Sequence, residues 1–90
     1  MNKTDKINFL KNLLGKQVSV KTNVPLENGK LLSREFAGII SCMDCFSNMV
    51  LRNAIEIYTD EIAEKIGINV SYMGMVTIKG EYIVFVKPSQ

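Results

Sequence analysis

The feature that most constrains this chain is a glycine in the middle of a long extended run. Arg34 to Met43 reads as one strand, and Gly38 interrupts it near its centre. A glycine inside a strand pattern marks a bend, a bulge or a close backbone approach. The run sits in a chain that looks like strand almost everywhere after Gly15. Gln17 to Thr22 alternates, with Val18 and Val20 on one face and Ser19 and Lys21 on the other. Met49 to Tyr58 alternates imperfectly, setting Leu51, Asn53 and Ile55 against Arg52, Ala54 and Glu56. Val70 to Ile78 and Tyr82 to Val86 follow, joined by Lys79-Gly80-Glu81, and Pro88 closes the pattern. Five antiparallel strands bent at a mid-strand glycine fit a small, partly open barrel better than a flat sheet.

The remaining segments decorate that sheet. Thr4 to Leu14 reads as a helix capped by Thr4 or Asp5, with Ile7, Leu10 and Leu14 on one stripe and Gly15 as its stop. Asn23 to Lys30 holds Pro25 and the pair Asn28-Gly29, a turn signal. Thr59 to Asn69 is acidic and breaks the strand pattern, with Ile62, Ala63 and Ile66 fitting either one helical turn or a loop. An open barrel leaves edge strands, and the last two runs are apolar and short of charges that would discourage pairing. Either another chain pairs with them, or the helix and termini cover them.

Composition narrows the function. Residues 1–90 make one domain, and a chain this short gains from partner subunits. A formal charge of +2 argues against coating long duplexes by charge alone, but permits reading a few nucleotides by stacking and hydrogen bonding. Cys42 and Cys45 have CxxC spacing, yet there is no histidine and no third cysteine to complete a zinc site, so two reduced thiols are the reading. No window approaches the ~18 apolar residues of a membrane span, and residues 1–14 do not resemble a signal peptide. The chain reads as nuclear, cytoplasmic or both. No enzyme constellation and no cofactor motif is present, and the carboxylates Glu56, Asp60, Glu61 and Glu64 match no calcium loop and read as a solvated acidic turn.

Two segments carry a family resemblance. Residues 36–56, FAGIISCMDCFSNMVLRNAIE, resemble the first motif of Sm and Sm-like (LSm) proteins through Gly38, Asp44, Phe46, Asn48, Leu51 and Glu56. Residues 75–86, MVTIKGEYIVFV, resemble the second motif through Ile78, Lys79 and Gly80. The helix leading into LLGKQVSVKT is similar to the family's first helix and strand. The resemblance covers nearly the whole chain and lies a little closer to Sm-like than to core Sm subunits. It implies an N-terminal helix on a strongly bent, five-stranded antiparallel open barrel. It also implies rings of six or seven subunits, paired through strands about 70–78 and 82–86, that grip U-rich single-stranded RNA.

On that reading Phe46 stacks a base, or else plugs the underside of its turn. Asn48 reads a base edge, or closes an Asx turn. Lys79 lies against the base or reaches a phosphate, or is a solvated turn residue. Gly80 brings backbone N–H groups to the RNA, or only makes the turn. Asp44 and Gly38 organise the loop and the bent strand. Three departures stand out: lysine rather than arginine at Lys79, Ser47 in place of an apolar residue, and a long connection from Asn23 to Ser33. Family biology implies U6 snRNA binding in splicing, or mRNA decapping and decay. The competing readings are a non-RNA auxiliary subunit of an N-terminal acetyltransferase and a bacterial-type hexameric RNA chaperone.

Overall fold

The computed structural model describes residues 3–89. A helix, α1 (Lys3–Lys11), precedes strands β1 (Gln17–Pro25), β2 (Leu31–Met43) and β3 (Met49–Ile57). A short helix, α2 (Asp60–Ile66), then leads to β4 (Val70–Ile78) and β5 (Ile83–Pro88). The strands form one antiparallel sheet in the order β4-β3-β2-β1-β5. This is the helix and five-stranded architecture expected from the sequence, with β4 and β5 at the two edges.

The connection between those edges forces the sheet to curl. In a flat sheet β4 and β5 would lie four strand spacings apart, about 19 Å. The chain from Ile78 to Ile83 spans at most about 17 Å when fully extended, and a 3-10 turn over Gly80–Tyr82 shortens it further. Only a curled, open barrel brings the two edges within reach.

The bend runs through three strands. A Cβ on Gly38 would stand 3.1 Å from both the Arg52 carbonyl oxygen and the Ala54 Cα, so β2 and β3 touch backbone to backbone there. The β2–β3 register shifts between Ala37 and Ile39. Asn53 takes a left-handed φ of 52°, and Gly74 of β4 is opposite Ala54 with φ 77°. The irregularity at Asn53 changes the phase of β3. Leu51 points inward, but beyond the bulge Ala54 and Glu56 are the buried residues, not Asn53 and Ile55 as simple alternation predicts.

The core joins Leu10 and Leu13 to Val18, Val20, Phe36, Ile40, Met49, Leu51, Ala54 and Ile78. Leu13, not Leu14, completes the helix contribution, and Leu14 is 43% exposed. The reason is that α1 ends at Lys11, four residues before Gly15, and a turn then redirects the chain. Gly15 works as the entry to β1, donating its N–H to the Ile40 carbonyl at 2.8 Å. Thr4 and Asp5 lie within the first turn of the helix, which is described from Lys3 onward. The side chain of Ile7 is outside the described residues.

One connection differs from expectation, and a second takes one of the two forms the sequence allows. β1 and β2 stay paired out to Pro25 and Leu31, so most of Asn23 to Ser33 is an extended hairpin. Its turn is closed by Leu26 N–H to the Lys30 carbonyl at 2.8 Å and by Lys30 N–H to Asn28 Oδ1 at 3.0 Å. The acidic stretch forms α2. Thr59 Oγ1 accepts from the Ile62 N–H at its start, and Gly67 in a left-handed conformation ends it. Asp60, Glu61 and Glu64 are solvated, but Glu56 is not. It is buried on β3 and accepts two 2.8 Å hydrogen bonds from the Arg34 guanidinium. That pairing holds the Arg34 guanidinium above its ordinary pKa, and the group also lies 4.9 Å from the centre of the Phe36 ring.

Candidate nucleic-acid interface

The β2–β3 connection is a turn organised by one carboxylate. Asp44 Oδ1 accepts from the N–H of Phe46 at 2.8 Å and of Asn48 at 3.1 Å, while Oδ2 accepts from Asn48 Nδ2 at 2.9 Å. The ladder carries on through Asp44 N–H to the Asn48 carbonyl at 3.0 Å, and Ser47 N–H reaches the Asp44 carbonyl at 3.2 Å. These bonds favour the ionised carboxylate. The Asn48 side chain, followed by the two backbone N–H groups, holds Asp44 below its ordinary pKa. Asp44 is thus bonded to three groups of the loop that carries Phe46 and Asn48.

A second turn docks onto the first. Gly80 donates its N–H to Asn48 Oδ1 at 2.7 Å. With a donor from Gly80 on one side and an acceptor from Asp44 on the other, the orientation of the Asn48 amide is determined. One N–H and one oxygen lone pair of that amide remain for a further partner. Gly80 opens the 3-10 turn, one of the two readings given for it. Its N–H is spent inside the protein, and its lack of a side chain is a packing requirement. A Cβ there would lie 2.2 Å from the Phe46 carbonyl oxygen and 2.7 Å from the Ser47 carbonyl carbon. Ser47 is part of the same packing. It is buried with a left-handed φ of 65°, and its backbone is the floor on which Gly80 rests.

Around this clasp stand the groups able to engage a ligand. Phe46 is 67% exposed on the polar turn, so the buried-plug alternative is excluded. Lys79 is exposed, with Nζ 3.9 Å from Glu81 Oε1 and 6.0 Å from the centre of the Tyr82 ring. Lys79 and Tyr82 also line a cavity of about 340 Å³ whose wall includes Thr22, Phe36, Met73 and Met75. The two turns thus bring Phe46, Asn48, Lys79 and Gly80 together, whereas Gly38 lies away from them, at the bend. Tyr82 is the residue that sequence reasoning missed. It was placed in a strand, and only the 3-10 turn turns it toward Lys79. Among the described residues no group of three or more Cys, Asp or Glu side chains is arranged to hold a metal. No described helix is long and apolar enough to cross a membrane.

Comparison with known proteins agrees with this geometry. The LSM domain family matches residues 8–88. An Sm-like protein of Thermoplasma volcanium is 32% identical over 89 residues, covering 97% of this chain and 87% of that protein. Among solved structures, a heptameric archaeal Sm protein superposes with a TM-score of 0.68 at 29% identity, over 92% of this chain and 98% of its own. The Pyrococcus abyssi Sm protein, solved in complex with a uridine heptamer, superposes with a TM-score of 0.61 at 26% identity, over 92% and 96% of the two chains. The match spans the helix, the bent sheet and both turns, and on it the chain belongs to the Sm/LSm family of ribonucleoproteins.

Proposed function

We propose that this protein is the RNA-binding subunit of a ring-shaped Sm-like complex that grips U-rich single-stranded RNA. The observation that carries the reading is the clasp of Asn48 between Asp44 and Gly80. It presents a preset amide beside an exposed aromatic ring and a lysine. The unspent N–H and lone pair of Asn48 suit the O4 and N3–H edge of uracil, and Phe46 offers a face for the ring. Lys79 supplies charge to the base or phosphate without the planar fork an arginine would give. The similarity to a protein solved with a uridine heptamer supports the same choice of base.

One such pocket binds weakly, and a ring repeats it so that several nucleotides are held at once. β4 and β5 are the sheet's edges, and β4 carries no charged residue. Pairing β4 of one subunit with β5 of the next would satisfy both, and similarity to heptameric Sm proteins supports it. U6 snRNA binding in splicing and mRNA decapping or decay both use this chemistry, and we place the protein where such RNA is handled, in the nucleus, the cytoplasm or both. The test is fluorescence anisotropy with ten-nucleotide U and A oligomers at one stated salt concentration. Preference for U, lost in Asn48→Ala and Phe46→Ala, is expected. Equal binding of both oligomers, or none, would overturn the reading.

A further inference from the structure

Cys42 and Cys45 flank Asp44, and both thiols are free and exposed. Cys42 and Met43 are still in the β2–β3 ladder, paired with Val50 and Met49, and Asp44 N–H extends it to Asn48. Cys45 is the first residue of the turn proper. Two extended steps alone put the Cα atoms of Cys42 and Asp44 about 6.6 Å apart. A disulfide needs Cα atoms within about 4.4–6.8 Å of each other, and the third step to Cys45 leads on into the turn. A bridge between the two cysteines would tie a strand residue to a turn residue across Asp44, whose carboxylate holds Phe46, Asn48 and, through Asn48, Gly80.

We propose that Cys42 and Cys45 form an oxidisable pair whose disulfide opens the 44–48 turn and switches off nucleotide binding; the binding half of this rests on the function proposed above. The oxidant is a low-molecular-weight disulfide. The Cys45 thiolate attacks one of its sulfurs, forming a mixed disulfide and expelling one small thiolate, which takes a proton from water. The Cys42 thiolate then attacks the Cys45 sulfur and expels the second small thiolate. The protein has lost two protons and two electrons, and the reagent has become two thiols. Because the locked turn and the disulfide exclude each other, occupancy of the pocket must also resist oxidation by the same factor.

The experiment treats the assembled protein with oxidised glutathione and follows three readouts: denatured mass, hydrogen exchange of the Gly80 amide, and affinity for a ten-nucleotide U oligomer. The expected result is a monomer mass lower by two hydrogens, Gly80 exchange at least tenfold faster, and affinity at least tenfold weaker, all reversed by dithiothreitol. The double variant Cys42→Ser/Cys45→Ser should keep affinity under the same treatment, and saturating U oligomer should slow the mass change in the unaltered protein. A persistent glutathione adduct, an intersubunit disulfide, no oxidation, or a disulfide that leaves Gly80 exchange unchanged would each overturn the inference. If the reduced protein binds no RNA, the proposed function fails, and Gly80 exchange still decides whether the disulfide opens the turn.

Discussion

At the scale of single residues, the clasp is a small cage built on Asp44. Asp44 holds the loop only while ionised, so its folded-state pKa lies below the ordinary value of 3.8. For a depressed carboxylate the stabilisation is complete above the unfolded pKa and is lost as pH falls through the folded one. Amide shifts of Phe46 and Gly80 should therefore be constant from neutral pH to about pH 5 and move together below about pH 3.8; independent movement would show that the cage is not one unit. Gly80→Ala must push a methyl group into the backbone of Phe46 and Ser47. Overpacking of that kind costs about 1–3 kcal/mol, measurable by urea unfolding. Phe46→Ala removes a ring that is 67% exposed. It should leave stability within about 0.5 kcal/mol while weakening binding by about 1–3 kcal/mol per stacked base.

At the scale of elements, the curled sheet depends on strands that bend together. Arg34 and Glu56 tie β2 to β3 on the far side of the bend from the clasp. Arg34→Ala leaves a buried carboxylate without its partner, and a loss of about 1–3 kcal/mol is expected. That is less than for a fully buried pair, because the Arg34 side chain is 39% exposed and screened by water. Thermal unfolding of the variant checks it, and an unchanged midpoint would mean that water replaces the guanidinium at no cost. The bend shows where sequence reasoning worked and where it failed. Gly38 announced itself as a lone glycine in an apolar strand, the five strands followed from run lengths and turns, and the family resemblance implied that the last two are the edges; the strand order needed the structure. Asn53 gave no such sign. Its left-handed backbone lies where the pairings with both β2 and β4 shift register, so the switch in phase that buries Ala54 and Glu56 was invisible to a period-two reading. The hairpin was missed for a similar reason: Pro25 and Asn28-Gly29 mark a turn, but cross-strand pairing decides how far the strands run. In the clasp, Asp44, Phe46 and Asn48 were legible as a motif. The bond from Gly80 to Asn48 joins residues 32 positions apart and needed the fold to be seen.

At the scale of the molecule, both edges of the sheet await partners. Tyr72 and Met75 on β4 and Val84 on β5 are exposed apolar side chains, a costly surface for a monomer of this size. A charge at Val84 (Val84→Lys) should raise the concentration at which subunits associate and lower apparent thermal stability, since assembly stabilises by mass action. Sedimentation across a concentration series would register the first effect. The central claim, that several copies of this clasp act together on one uridine-rich strand, is tested most directly by native mass spectrometry with a ten-nucleotide U oligomer. The expected species is a closed ring of six or seven subunits carrying one RNA strand, with no such complex formed on the A oligomer. A monomer, or a ring that takes up U and A alike, would contradict it.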